Sequence, residues 1–299
     1  RHTRYGTVTG VQTCALPIYL VLGLGFLRPN GALEKLSCKK IVLACNGFGG
    51  NPDLVKDYLP EMRDALYAGH VGNDGSAIQW GREVGAQLAD LGGYQGHGSW
   101  AVPQGALISW ALMMEGAIQI NSLGERFHDE TQGYSEAAVQ VLAQPQGLAW
   151  NIFDEAILKF AQDFPDFAQA QSVGAVHSFQ QLEELANFVG CPVERLAKTI
   201  ESVHAGVDPQ TGRIFKRSLS FPLYAIRVTG ALFHTQGGLD IDANCRVLRT
   251  DGNAFPNLLA AGGAARGVSG NAVWGYLSGN GLLSAIAGGY IAAHSAATG

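Results

Sequence analysis

The chain has 299 residues, 47% of them hydrophobic and 15% charged, with a net charge of −5. That length buries a large core and suits about two domains, while the acidic balance, with no Lys/Arg run, gives no electrostatic footing for nucleic acid. The 40 glycines point to a compact α/β protein whose backbone comes close to a ligand at several places.

The chain opens RHTRYGTVTGVQTCALPI. A signal peptide needs an apolar run of about 7–15 residues after its basic start, and Gly6 to Ala15 is polar and broken by glycine. The pattern of Thr7–Thr13 allows a strand, but Val8–Ile18 resembles the in-frame translation of a sequencing-library adapter. Residues 1–18 are therefore expected to be a non-native, adapter-derived segment and no strand of the fold, with natural sequence starting near Tyr19 and whatever preceded it lost. The cysteines, Cys14, Cys38, Cys45, Cys191 and Cys245, form no CxxC pair and no metal spacing. Free buried thiols in a reducing compartment, and so a cytoplasmic protein, are expected. The longest apolar tract, Leu282 to Ala297, is too short and too Gly-interrupted to span a bilayer.

From Tyr19 onward the pattern predicts a strand over Leu20–Phe26, a turn at Arg28–Gly31 and a return strand over Lys35–Lys40. The apolar run Lys40–Cys45 ends in Asn46-Gly-Phe-Gly-Gly50, the mark of a buried parallel strand with a ligand at its carboxyl edge. A helix follows over Pro52–Tyr58, and Gly72–Gly75 opens another over Ser76–Val84. Its first N–H groups either face a phosphate or flavin ring or are simply capped by Asp74. Gln95 to Pro222 carries more helix and charge, with a capping box at Ser178–Gln181 and a helix from Pro192 to Ile200. It reads as a covering domain inserted into the sheet domain. Strands then return at Tyr224–Val228, Leu239–Asp242 and Leu258–Gly262, with a glycine turn at His234–Gly238 and a final Ala/Gly helix starting at Ser278–Gly281. Three glycine-rich strand-to-loop junctions imply an extended, phosphate-bearing cofactor cradled by backbone.

KKIVLACNGFGGN, GNDGSAIQWGREVGA, INSLGERFHDE, FHTQGGLDID, NLLAAGGAA and SGNGLL, taken in series, resemble the flavoprotein family of fumarate reductase, succinate dehydrogenase and 3-ketosteroid dehydrogenase. They run in the family's order over residues 19–299, closest in character to members near tricarballylate dehydrogenase. The resemblance implies an α/β fold: a Rossmann-like FAD-binding domain, residues 19–90 and 234–299, with an inserted α+β capping domain, residues 91–233. The family's N-terminal βαβ unit, with its GxGxxG, is expected to be missing, so that the chain holds FAD weakly; a purified protein yellow with stoichiometric flavin would contradict that. The resemblance places Asn46, Gly47, Asp74, Gly75, Gly262, Gly263, Gly279, Asn280 and Leu282 around FAD, with the positive end of the final helix at the flavin ring.

The implied activity is hydride transfer between flavin N5 and a substrate carbon beside a carbonyl, with a proton moving at the neighbouring carbon. His97 and His234 match substrate-binding histidines of fumarate reductase. The family's proton-donating arginine falls on Tyr134, its carboxylate-binding and relay residues on Ser109, Trp110 and Met113, and its C-terminal substrate arginine has no counterpart in Asn271–Tyr276. Each lost guanidinium contact to a dianion is worth about 1.5–3 kcal/mol, so fumarate is not the expected substrate. Trp100, Trp110, Met113, Tyr134, Trp274 and Tyr276 are either core or the wall of a pocket for an enone, a ring ketone or a monocarboxylate. Tyr134, His97 and His234 are the expected catalytic residues, and Ser109, Trp110, Met113, Trp274 and Tyr276 the expected substrate contacts. To act as a base near neutrality Tyr134, a phenol whose ordinary pKa is about 10, needs a cationic neighbour or the flavin's field; Arg126 and Arg266 are the candidate cations, Arg126 alternatively pairing with Glu130. The expected partners are a small-molecule substrate and an unidentified electron donor or acceptor, with no metal, no nucleic acid and no transmembrane segment. A tricarballylate-like carboxylic acid dehydrogenase, or an inactive fragment with half of an FAD site, are the alternatives.

Overall fold

The computed structural model describes residues 20–298 and the backbone of residues 7–13; Cys14 and the rest of the adapter-like segment lie outside the described residues. The chain divides into two compact units, one of residues 1–60, 69–95 and 234–299, the other of residues 61–68 and 96–233.

In the first unit, β1 (Thr7–Thr13), β2 (Val21–Leu27) and β3 (Leu33–Ser37) form an antiparallel sheet. The expectation that residues 7–13 stand outside the fold is thus corrected: the β-prone run TVTGVQT pairs along β2, from Thr7↔Leu27 to Thr13↔Val21. Strand β4 (Ile41–Leu43) leads to α1 (Pro52–Tyr58), which Asn51 caps by accepting the N–H groups of Asp53 and Leu54 at 3.2 Å, with Pro52 at its first turn. The short β5 (Leu66–Tyr67) belongs to the second unit. Helix α2 (Ser76–Glu83) and β6 (Leu88–Ala89) return to the first, and β7 (Tyr94–Ala101) runs out of it.

The second unit continues with β8 (Ala106–Leu107), α3 (Ala111–Met114), β9 (Ile118–Ile120), α4 (Tyr134–Leu142), β10 (Leu148–Asp154), α5 (Glu155–Ala161), α6 (Pro165–Ser172), β11 (His177–Phe179), α7 (Leu182–Val189), α8 (Val193–His204) and β12 (Leu223–Thr235). Its seven-stranded sheet has the order β8-β7-β12-β10-β9, with β11 and β5 also paired to the long β12. The parallel pairing Ala231↔Leu66 draws residues 61–68 into this unit, a long-range contact that local pattern does not announce. Ile118, Ile152, Phe153 and Val228 from the strands bury against Leu158, Phe167, Leu185 and Leu196 from the helices. The capping box of α7 lies three residues later than Ser178–Gln181 suggested: the Glu184 carboxylate accepts the N–H groups of Gln180 and Gln181 at 3.0 and 3.3 Å.

The first unit closes with β13 (Gly238–Leu239), antiparallel to β6, then β14 (Arg246–Leu248), β15 (Ala254–Ala260) and α9 (Asn280–Thr298). The sheet order is β14-β15-β4, and β15 runs parallel to β4 in the register Leu258↔Ile41, Leu259↔Val42, Ala260↔Leu43. Their carboxyl ends therefore finish side by side. Asn257 holds the strands' entry: its amide donates to the Val21 and Lys39 carbonyls and accepts the Val21 N–H. Helix α9 leaves Leu282, Ile286 and Tyr290 exposed, and among the described residues no helix is long and apolar enough to cross a membrane. Cys38, Cys45, Cys191 and Cys245 are free, only Cys245 being fully buried.

Candidate functional site

A cavity of about 620 Å³ opens where β4 and β15 end. Its wall is Val42, Ala44, Asn46, Ala261, Gly262 and Gly263 on the strand side, with His234 and one stripe of α9. The chain turns sharply at both strand ends: Asn46 has φ 65° and Gly262 φ 62°, left-handed conformations that Asn and Gly tolerate. A Cβ on Gly263 would collide with Asn46 Oδ1, and one on Gly281 with His234 Nε2. Glycine is thus what lets these walls close up while presenting bare backbone to the cavity. The α9 stripe is Gly281, Ala285, Gly289 and Ala293, spaced four apart so that one small face looks at the cavity. Sequence reasoning passed over this stripe, although its four-residue period was readable.

His234 is held on the cavity wall as a neutral imidazole. Its Nδ1–H donates to the Thr235 carbonyl at 2.8 Å, and its Nε2 accepts from the Gln236 amide at 2.8 Å. Burial pushes its pKa down against the pull of that carbonyl. The Gln236 side-chain oxygen accepts from Ser269 Oγ at 3.4 Å, and Ser269 Oγ accepts from Asn280 Nδ2. The chain ends at Asn280 Oδ1, a buried acceptor with no hydrogen-bond partner. It sits at the start of α9, where first-turn N–H groups have no carbonyl within the helix and carry partial positive charge.

In the second unit His97 is enclosed by aromatic rings. Tyr134 stacks on it at 5.0 Å and 26°, Trp110 meets it edge-on at 5.8 Å, and Phe233 lies 5.7 Å away. Trp100 packs edge-on against Phe233 in turn. This desolvation lowers the His97 pKa to about 3. Nδ1 accepts the Ser99 N–H at 3.1 Å, so the single proton of the neutral ring sits on Nε2 and makes it a donor. Tyr134 is the first residue of α4, and the next residue, Ser135, accepts the Gly96 N–H through Oγ at 2.8 Å, tying α4 to β7.

Behind this box lies a buried ion cluster. Glu130, fully buried, is bound by Arg126 and Arg213, and Arg126 also pairs with Asp208. Burial alone would raise the Glu130 pKa, but the Arg126 hydrogen bond and the Arg213 charge outweigh it and hold the carboxyl low. Arg126 is further committed to the His128 carbonyl and Thr211, which settles its alternatives in favour of Glu130. Arg266 pairs with Asp90 and Asp240 within the first unit. The two candidate cations for Tyr134 are therefore each bound to carboxylates.

The other expected site residues fall in different places. Trp110 is buried with its indole N–H on the Glu130 carbonyl at 3.0 Å. Ser109 Oγ accepts the Ala111 N–H at the start of α3, and Met113 is packed in the core. In the first unit Asp74 accepts the N–H of Ser76 at 2.9 Å, but the N-cap of α2 is Gly75, with no side-chain cap, and Gly75 donates its N–H to the Gly47 carbonyl at 3.1 Å. Gly75 thereby supports the Gly47 loop, and neither residue is among those lining the cavity. Gly47, Asn280 and Leu282 adjoin lining residues without lining it, Gly279 stands two residues before Gly281, and Trp274 is 78% exposed, with Tyr276 two residues on at the end of its turn. Among the described residues no group of three His, Cys, Asp or Glu could hold a metal ion.

Parallel strands ending at a glycine-walled cavity beside a helix N-terminus define an α/β protein built to bind a nucleotide-type cofactor. Residues 4–282 match the FAD binding domain family, and the chain belongs to that family. It is 30% identical over 268 residues to a probable fumarate reductase, Ifc3, of Shewanella frigidimarina, covering 88% of this chain and 45% of that protein. The open conformation of a flavocytochrome c3 fumarate reductase superposes with a TM-score of 0.81 at 27% identity, over 98% of this chain and 51% of that one. The 3-ketosteroid-Δ4-(5α)-dehydrogenase of Rhodococcus jostii RHA1 gives a TM-score of 0.71 at 25% identity, over 98% and 59%. The chain thus spans about half the length of these relatives. The expected α/β fold, family and FAD cofactor stand on these findings. The cavity fits a flavin: bare glycine and alanine walls suit a flat ring, and Gly281 on its wall follows Asn280, whose Oδ1 is a buried acceptor without a partner.

Proposed function

We propose that the chain is the flavin- and substrate-binding part of an FAD-dependent oxidoreductase acting on a carbon–carbon bond next to a carbonyl, with an uncharged or singly charged substrate. The unit of residues 69–95 and 234–299, with the chain up to residue 60, serves as its FAD domain, and the unit of residues 61–68 and 96–233 as its cap. FAD, when bound, supplies the two-electron chemistry as hydride exchange at N5. Asn46, Gly262, Gly263, Gly281 and the α9 stripe would hold it, and the partial positive charge at the start of α9 favours added electron density there.

The observation that carries this reading is His97: a neutral N–H donor in an aromatic box, beside a phenol. A neutral imidazole donor polarises a carbonyl without attracting a second carboxylate. In this reading His97 Nε2–H donates to the substrate carbonyl, Tyr134 Oη gives or takes the proton at the neighbouring carbon, and Trp110 and Phe233 keep water out. Both ring nitrogens of His234 are already engaged, so we assign it the shaping of the flavin cavity and leave the chemistry to Tyr134 and His97. Electrons enter or leave through an external carrier.

The test is to supply the protein with FAD, photoreduce it without oxygen and follow flavin reoxidation. A cyclic enone should reoxidise it at least about a hundredfold faster than fumarate, the cost of two missing charge-assisted contacts. Fumarate matching or exceeding the enone would overturn the reading. Turnover of a tricarboxylate alone would favour the carboxylic acid dehydrogenase instead.

A further inference from the structure

Gln119 of β9 carries neither charge nor a motif, yet it is completely buried and every polar atom of its side chain is used. Its Nε2 donates to the Gly98 carbonyl at 2.8 Å and to Asn151 Oδ1 at 2.9 Å, and its Oε1 accepts from His128 Nε2 at 2.8 Å. These partners fix which way the amide faces. Its backbone N–H donates to the Glu130 carboxylate at 2.8 Å, and Glu130 is clamped by two arginines.

The Gly98 carbonyl belongs to the same peptide unit as the Ser99 N–H, and that N–H is the donor to His97 Nδ1. One end of the peptide is therefore gripped by Gln119 while the other selects the His97 tautomer. Ser99 is held a second time, through Oγ, by Asn151 Nδ2, whose own amide Gln119 orients. Ser99, Asn151 and Gln119 are all fully buried, so water does not compete for these bonds. Donation into a peptide carbonyl also strengthens the N–H at its other end. Gly98 lies so close to α4 that a Cβ there would press on Ala137 at 2.7 Å.

We propose that Gln119 is a positioning residue for His97: it holds the 98–99 peptide so that the Ser99 N–H keeps Nδ1 unprotonated and Nε2–H turned to the substrate carbonyl. The substrate half of this statement rests on the reading of His97 given above; the tautomer half does not. Without Gln119 the peptide can rotate, Nδ1 loses its donor, and the proton distributes over both nitrogens.

The tautomer is read directly by two-bond ¹H–¹⁵N correlation of the imidazole in the labelled 299-residue protein. Wild type should show His97 as the Nε2–H form, with a through-hydrogen-bond coupling between the Ser99 amide nitrogen and Nδ1. Absence of that coupling overturns the proposal without any variant. In Gln119→Met, which keeps the side chain's length and loses its donors, an Nδ1–H population should emerge and the Ser99 amide should exchange with solvent about fivefold faster or more. An unchanged tautomer and exchange rate in folded Gln119→Met overturns the proposal. Asn151→Ala, which removes only the second grip, should show the same changes to a smaller extent and serves if Gln119→Met does not fold; an unchanged Asn151→Ala then counts against the network. A tautomer shift with no change in the kcat/KM of enone turnover would leave the positioning role standing and remove His97 from the substrate site.

Discussion

The imidazole of His97 lies against the phenol of Tyr134, ring centroids 5.0 Å apart and planes inclined by 26°. Tyr134 is the first residue of α4, and Ser135 beside it is bonded to the backbone of β7, the strand that carries His97. The stacking is therefore built by two elements locked to each other. Tyr134→Phe should keep the ring contact and lose only the hydroxyl. Proton transfer by a placed side chain contributes about 10²–10⁴-fold, so substrate-coupled flavin reoxidation, followed by stopped-flow absorbance, should fall by at least about a hundredfold with the melting temperature little changed. An unchanged rate removes Tyr134 from the chemistry.

Acid should destabilise the second unit earlier than carboxylate protonation explains. Burial lowers the His97 pKa to about 3 and that of His128 to about 4. In the unfolded chain both return to about 6.5. Above that value neither state binds the proton and no stability is lost. Below it the unfolded state binds protons that the folded state refuses, so stability falls as pH drops from about 6.5 towards the folded values, at about 1.4 kcal/mol per pH unit for each histidine. The depressed Glu130 carboxyl adds its loss only below about 4.5. Urea unfolding at pH 7.5, 6 and 5 checks the window: a flat midpoint over that range contradicts neutral burial of these rings.

Gly289 lines the cavity, and a Cβ on it would meet nothing within 4 Å. Gly289→Leu should therefore fold at least as well as wild type, because leucine is the better helix former. It should nonetheless weaken flavin binding by about tenfold or more, since its side chain occupies the cavity. Fluorescence titration with FAD and thermal unfolding together separate the two effects. Flavin affinity equal to wild type would mean that the cofactor lies elsewhere.

Glu130→Gln should be among the most damaging single changes in the second unit. It leaves Arg126 with Asp208 as its one carboxylate, beside Thr211 and the His128 carbonyl, and Arg213 with only the Ala117 and Met113 carbonyls. Removing one partner of a buried ion pair costs about 3–5 kcal/mol, a loss that denaturant unfolding measures. Arg195→Ala, which breaks the exposed Arg195–Glu125 pair, should change stability by less than about 1 kcal/mol.

Much of the first unit was legible along the chain. The run KIVLAC followed by NGFGG, and NLLAAGG after it, announce strands entering glycine turns because apolar continuity and positive-φ residues are local properties. The start of α9 is readable for the same reason. The place of Thr7–Thr13 as a strand was misread, because the nucleotide pattern behind a segment says nothing about which open strand edge its backbone can pair with.

By itself the sequence determined the α/β class, the flavoprotein family and the FAD cofactor. These follow from residue types and their order. Only the tertiary structure decided what each polar side chain does. Arg126 is spent on Glu130 and Asp208, 82 residues away, and Gln119 meets Asn151 across 32 residues and Asn151 meets Ser99 across 52. His97 is an expected catalytic residue in the sequence and a neutral donor in the fold. Its protonation is set by three aromatic rings and one peptide N–H, and burial of a titratable group exists only once distant segments have packed around it.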